Sequence, residues 1–172
     1  MSGFPPHTSN HLFSMVTSYV VLDSTFEMGQ LSEKLYQKFG SPLTDAQLLS
    51  ELSLDDPHFT PREDRCAIFL LVALNNSLFT SALTILRSDP PPRLTKTDRD
   101  FSALHAAIRN RNTPLEVIRA ILERAPESIK DLHDGFGETA LFHAVFNQYT
   151  AFVRLLLEEY KTNPNTPCKN GN

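Results

Sequence analysis

Any chemistry in this chain has to come from two cysteines, six histidines and one short glycine-containing turn. Cys66 could be imagined as a nucleophile partnered by a histidine and Asp64. Its neighbours Ala67 to Leu74 are all apolar, however, and such surroundings raise a thiol pKa, whereas a reactive cysteine needs an exposed, electropositive setting. Cys66 therefore reads as a buried structural residue. The histidines lack the close His/Cys spacing of a zinc site: His7, His11 and His58 lie in stretches with no ligand pattern, and His133 and His143 stand about a hairpin apart. We expect no metal site and no cofactor. Gly135-Phe136-Gly137 lacks both the third glycine of a dinucleotide loop and the Lys-Ser/Thr pair of a phosphate loop, so it reads as a hairpin turn.

With catalytic chemistry set aside, the question becomes what the chain builds. Its 172 residues suffice for a sizeable core, and a hydrophobic fraction of 41% with 21% charged is ordinary for a globular domain. A formal net charge of -4 and a pI near 5.8 give no attraction to phosphate backbones, so nucleic acid is not an expected partner. No apolar run approaches the roughly 18 residues that a membrane span requires. Cys66 and Cys168 lie far apart in unlike settings, which fits a reducing compartment. The expected location is intracellular, the cytoplasm or the nucleus.

Along the chain the signals are helical. Leu12 to Leu22 carries an apolar helical face, although Thr17 to Val21 also fits a short strand. Ser24-Thr25-Phe26-Glu27 matches a capping box opening a helix with Leu31, Leu35 and Phe39 four apart, and Gly40 ends it. Thr44 and Gln47 repeat the box, and Thr60-Pro61-Arg62-Glu63 gives a third start. From Pro61 to Leu74 the helix is apolar on most of its surface and must be covered on several sides. Asn75-Asn76 breaks it, and Ser77 is expected to cap a second helix that ends before Asp89-Pro90-Pro91-Pro92.

The last third of the chain is duplicated. Ser102-Ala103-Leu104-His105-Ala106-Ala107 is followed by an apolar run from Leu115 to Glu123, and Thr139-Ala140-Leu141-Phe142-His143-Ala144 by a matching run from Thr150 to Glu158. A mid-thirties period of short helix, turn, longer helix and Gly/Asp loop marks a helical solenoid. These runs resemble the ankyrin repeat family, whose inner helix opens with Thr-Pro-Leu-His-x-Ala. Asp134-Gly135-Phe136-Gly137 and Asn163-Pro164-Asn165 add to the likeness. It covers Thr97 to Asn172, with Pro61 to Asp89 as a degenerate repeat. Alanine replaces the family's proline in both copies, Phe142 stands where histidine is usual, and Asp100 where a glycine is wanted. Thr113-Pro114-Leu115-Glu116 is expected to cap the first long helix. Alanines at 103, 106, 107, 140 and 144 let inner helices approach closely, and Leu104 and Leu141 anchor the core.

The expected fold is thus all-α, an ankyrin-type helical repeat solenoid over residues 59–172 with an N-terminal helical module over 1–58. The resemblance implies that His105 ties adjacent repeats by a structural hydrogen bond, and that function is non-catalytic binding of another protein by an adaptor, scaffold or inhibitor. Carried over by position, partner-binding residues are Asp98, Arg99 and Phe101 before the first inner helix, and Arg109 and Asn110 at its end. Phe136 and Glu138 follow on the hairpin, Phe146 and Asn147 after the second inner helix, and Lys169, Asn170 and Asn172 at the C-terminal end. Phenylalanine and arginine are apt anchors. Because a solenoid needs polar caps, the loop at Cys168 to Asn172 leads us to expect a fragment of a longer protein, or a flank covered by another molecule, self-association included. One alternative makes the repeats the targeting arm of a larger enzyme. Another makes the N-terminal module a small enzyme using Cys66, which thiol labelling tests.

Overall fold

The computed structural model describes residues 24–53, 62–89, 91–94 and 102–168. Eight α-helices and no strand occur among them, so the all-α, helical-solenoid expectation holds. The expected helix at Leu12 to Leu22 and the Thr60-Pro61 start lie outside the described residues, as do the side chains of the Ser24 box, whose backbone is helical from Ser24.

Helix α1, Ser24–Phe39, buries Leu31 and Leu35. It stops at Gly40, whose φ of +80° no L-residue adopts comfortably and whose N–H donates to Tyr36 O at 2.9 Å. Helix α2, Asp45–Leu52, starts at the expected reciprocal box: Thr44 Oγ1 accepts from Gln47 N–H, and Gln47 Oε1 accepts from Thr44 N–H. Helix α3, Arg62–Asn75, buries Cys66 and the whole run from Ile68 to Leu74. Covering it takes several elements: α1 and α2 pack on it from one side, and α4, Phe79–Leu86, and α5, Ala103–Arg109, from others. Helix α6, Leu115–Arg124, follows α5, and a 3-10 turn over Glu127–Asp131 leads to a hairpin. Helix α7, Ala140–Phe146, and α8, Thr150–Arg154, close the array, α8 running on as a π-helical turn over Leu155–Glu159.

Two rows result. Inner helices α3, α5 and α7 pack in sequence, each beside its outer partner α4, α6 or α8, and α4 packs on α6. Alanines 103, 106, 107, 140 and 144 are all buried where the inner row closes up, and one apolar core runs from Leu31 to Leu156. Stacking is what buries helices too short to be stable alone.

Two expected caps are not made. Ser77 adopts φ +59°, and the residue that enters α4 is Leu78, with no side-chain cap. Thr113 Oγ1 is buried without a hydrogen-bond partner, and Pro114 enters α6 uncapped. The tight turn after α3 accounts for the first of these. It needs a left-handed residue at Ser77, repeated at Gln148 with φ +59°, and that geometry turns the side chain away from the helix end. In the α5–α6 turn Asn110 takes over, its amide donating to Leu74 O at 2.6 Å and Ser77 Oγ at 3.0 Å, while its Oδ1 accepts from Asn112 N–H at 3.1 Å.

Candidate binding surface

The hairpin before α7 is organised by one carboxylate. Asp134 Oδ1 accepts from the N–H groups of Phe136 at 2.9 Å and Glu138 at 3.0 Å, while the Asp134 backbone exchanges with Glu138 O and Gly137 N–H. Gly137, at φ +80°, makes the reversal possible. Phe136 is lifted to the tip, where it is 46% exposed.

The neighbouring repeat reads this hairpin through His105. Its Nε2 lies 3.2 Å from Glu138 O and its Nδ1 2.8 Å from Ser102 Oγ. A carbonyl can only accept, so Nε2 carries the hydrogen and Nδ1 accepts from the serine hydroxyl. This one neutral tautomer satisfies both partners. Burial disfavours the charged ring and lowers the His105 pKa to about 4, with His143 and Arg109 acting the same way and Asp134 opposing. His105 therefore ties repeats together, as the resemblance implied.

Beside it lies a second polar cluster that sequence spacing did not reveal. Asp134 Oδ2 meets His143 Nε2 at 2.8 Å, and Glu138 Oε2 reaches the same nitrogen at 3.4 Å. The rings of His105 and His143 stand edge to face, 5.9 Å apart. Burial pushes the Asp134 pKa up, but the bonds from Glu138 N–H, the His143 ring and Phe136 N–H outweigh it and hold the carboxyl below its usual range. Among the described residues, Asp134, Glu138 and His143 are the one set whose ligand atoms could converge on a metal ion, all lying within 4.8 Å of one another.

Of the twelve expected binding residues, Asp98, Arg99, Phe101, Lys169, Asn170 and Asn172 lie outside the described residues. Arg109 is exposed at the end of α5. Asn110 is half-buried with its amide committed to Leu74 and Ser77, and Asn147 is half-buried with its amide on His143 O at 2.8 Å. Glu138 is half-buried beside His143. Phe146 is 73% exposed and stacks on Phe142 with centroids 5.9 Å apart, so it does not pack between the described repeats.

Comparing the two copies singles out flank residues that sequence reading did not name. Val145 holds the position of Ile108, and Val153 and Leu157 hold those of Ile118 and Leu122. The first-copy residues are all buried, yet Val145 is 56% exposed and the other two are partly open. With Arg154 and Glu158 they line an open groove of about 480 Å³ on the C-terminal flank. Phe142 in place of histidine was the signal available, since it cannot make the bond by which His105 holds a following hairpin.

Ankyrin repeats in three copies match residues 65–168. Neither the curated proteins nor the solved structures gave a match. No helix among the described residues is long and apolar enough to cross a membrane. Ankyrin repeats are protein–protein interaction modules and are generally non-catalytic. The matched segment spans more than half of the sequence and coincides with the stacked helix pairs from α3 to α8; the chain belongs to the ankyrin repeat family.

Proposed function

We propose that this chain is an adaptor, scaffold or inhibitor that holds a partner protein in the concave groove and hairpin tips of its repeats. The observation that carries this reading is the position of exposed apolar surface. Among the described residues, two of the four exposed large hydrophobics, Phe136 and Phe146, stand at expected groove positions in the repeat around α7. Aromatics and arginine dominate binding hot spots, and Arg109 stands exposed on the inner helix before them. The described groove residues are supported by backbone within the stack, so little ordering entropy is lost on binding there. Helices α1 and α2 act in this reading as a cap on the stack. Polar links join α1 and α2 to the repeats, from Tyr36 Oη to Asn76 Oδ1 at 2.7 Å and from Ser81 N–H to Asp45 Oδ1 at 2.6 Å. We read the compartment as intracellular.

Capture of partners from a native lysate by wild-type chain, Phe136→Ala and Arg109→Ala tests the assignment. We expect proteins retained by the wild type to be lost from both variants at unchanged melting temperature. Variants that capture the same proteins would overturn it.

A second reading rests on the flank. Val145, Val153 and Leu157 are open at positions that are buried one repeat earlier. We read this face as a stacking surface for a further helix pair, contributed by a second copy of the chain or by a larger protein of which these repeats are the recruiting arm.

A further inference from the structure

The cluster beneath the Phe136 hairpin has the composition and shape of a metal site. Asp134 is 1% exposed, and its Oδ1 is occupied by two backbone N–H groups. That leaves Oδ2 fixed in direction and aimed at His143 Nε2. Glu138 Oε2 converges on the same nitrogen. A neutral imidazole has one hydrogen there, and it cannot serve two carboxylates. It lies with Asp134 at 2.8 Å and leaves Glu138 at 3.4 Å, a poor hydrogen-bond distance. Among the described residues no lysine or arginine pairs with either carboxylate. Two carboxylates therefore converge on one ring nitrogen in a partly buried setting.

A divalent ion resolves both shortfalls. Zinc bonds nitrogen and carboxylate oxygen at about 2.0–2.2 Å, so tetrahedral donors stand about 3.4 Å apart. Glu138 and His143 already have that separation, and Asp134 and His143 reach it when the imidazole backs off by roughly half an ångström. The ion binds the Nε2 lone pair, and the ring's one hydrogen moves to Nδ1. One imidazole and two carboxylates suit first-row divalent ions, zinc among them, better than magnesium, which prefers all-oxygen octahedral shells. Three protein ligands leave a position open, and Glu138, half-buried, gives solvent its way in.

We propose that Asp134, Glu138 and His143 form a binding site for a divalent first-row transition ion, with Zn²⁺ the reference ion, clamping the Phe136 hairpin to α7. The ion rigidifies the tip that carries Phe136, and its open position can accept a carboxylate or imidazole from a bound partner.

Isothermal titration of untagged, chelator-treated full chain with ZnCl₂, and with MgCl₂ for comparison, tests this. We expect one saturable Zn²⁺ equivalent that Mg²⁺ does not reproduce, and a rise in melting temperature with added Zn²⁺. Glu138→Gln keeps size and hairpin backbone and is expected to weaken Zn²⁺ by about ten-fold or more. His143→Asn is expected to abolish binding, and His133→Ala to leave it intact. Absence of Zn²⁺ binding by the wild type overturns the proposal. So does wild-type affinity in Glu138→Gln, which remains decisive even where His143→Asn fails to fold.

Discussion

His105 is held by its environment in one protonation state, and this has a measurable consequence. Its folded pKa of about 4 lies below the ordinary 6.5, so between those values the unfolded chain binds more protons than the folded one. Stability is then complete above pH 6.5, falls as the pH drops toward 4, and levels off below. The slope from this one group is at most about 1.4 kcal/mol per pH unit. Denaturant melts across pH 7 to 4, run with a chelator, should show this loss in the wild type and a shallower one in His105→Gln. At the same scale, Leu141→Ala should cost about 2–5 kcal/mol because the side chain is buried between helices, whereas Phe136→Ala should hardly move the melting temperature. The reverse order would mean that Phe136 belongs to the core and not to the binding surface. The role of His105 was legible from its place in the repeat. The role of His143 was not, because Asp134 reaches it across a hairpin whose closure depends on backbone N–H groups that residue types do not specify.

Helices were legible where apolar periodicity met a stop or start signal, as at Leu31, Leu35 and Gly40 or at Thr44 and Gln47. The joints within helix pairs were not. Ser77 and Gln148 both sit at φ +59° without being glycine, so the residue type that usually announces such a turn is missing. Ser77 read as a cap because serine at that offset normally is one, but the turn geometry overrides the preference. Gln148 is exposed, and its backbone alone takes part in hydrogen bonds, its N–H donating to Val145 O and its carbonyl accepting from Thr150 N–H. Gln148→Gly should therefore stabilise the chain by up to about 1 kcal/mol by removing the left-handed penalty. Gln148→Val should destabilise it, since a β-branched residue tolerates positive φ poorly. Chemical denaturation of the pair decides the matter; equal stabilities would mean the turn relaxes freely.

Across the whole molecule, repeated helix pairs share one core, and the end of the array differs from its middle. The groove lined by Val145, Val153 and Leu157 is where a further pair would pack. If a second copy takes that place, light scattering should show concentration-dependent association in the wild type and loss of it in Val145→Glu; a wild-type monomer at all concentrations would exclude the second copy. The joints themselves are held at three distances from the groove. Near it, His105 holds Glu138 O; on the hairpin line, His133 Nε2 lies 2.8 Å from Pro167 O; on the outside, Arg119 grips Glu159 through both carboxylate oxygens. Interdigitated apolar side chains already favour particular crossing angles between neighbouring helices. Polar pins between repeats add specific distances to that packing. The outermost pin is exposed and yields to salt, which makes it the point at which the arc can be flexed without being taken apart.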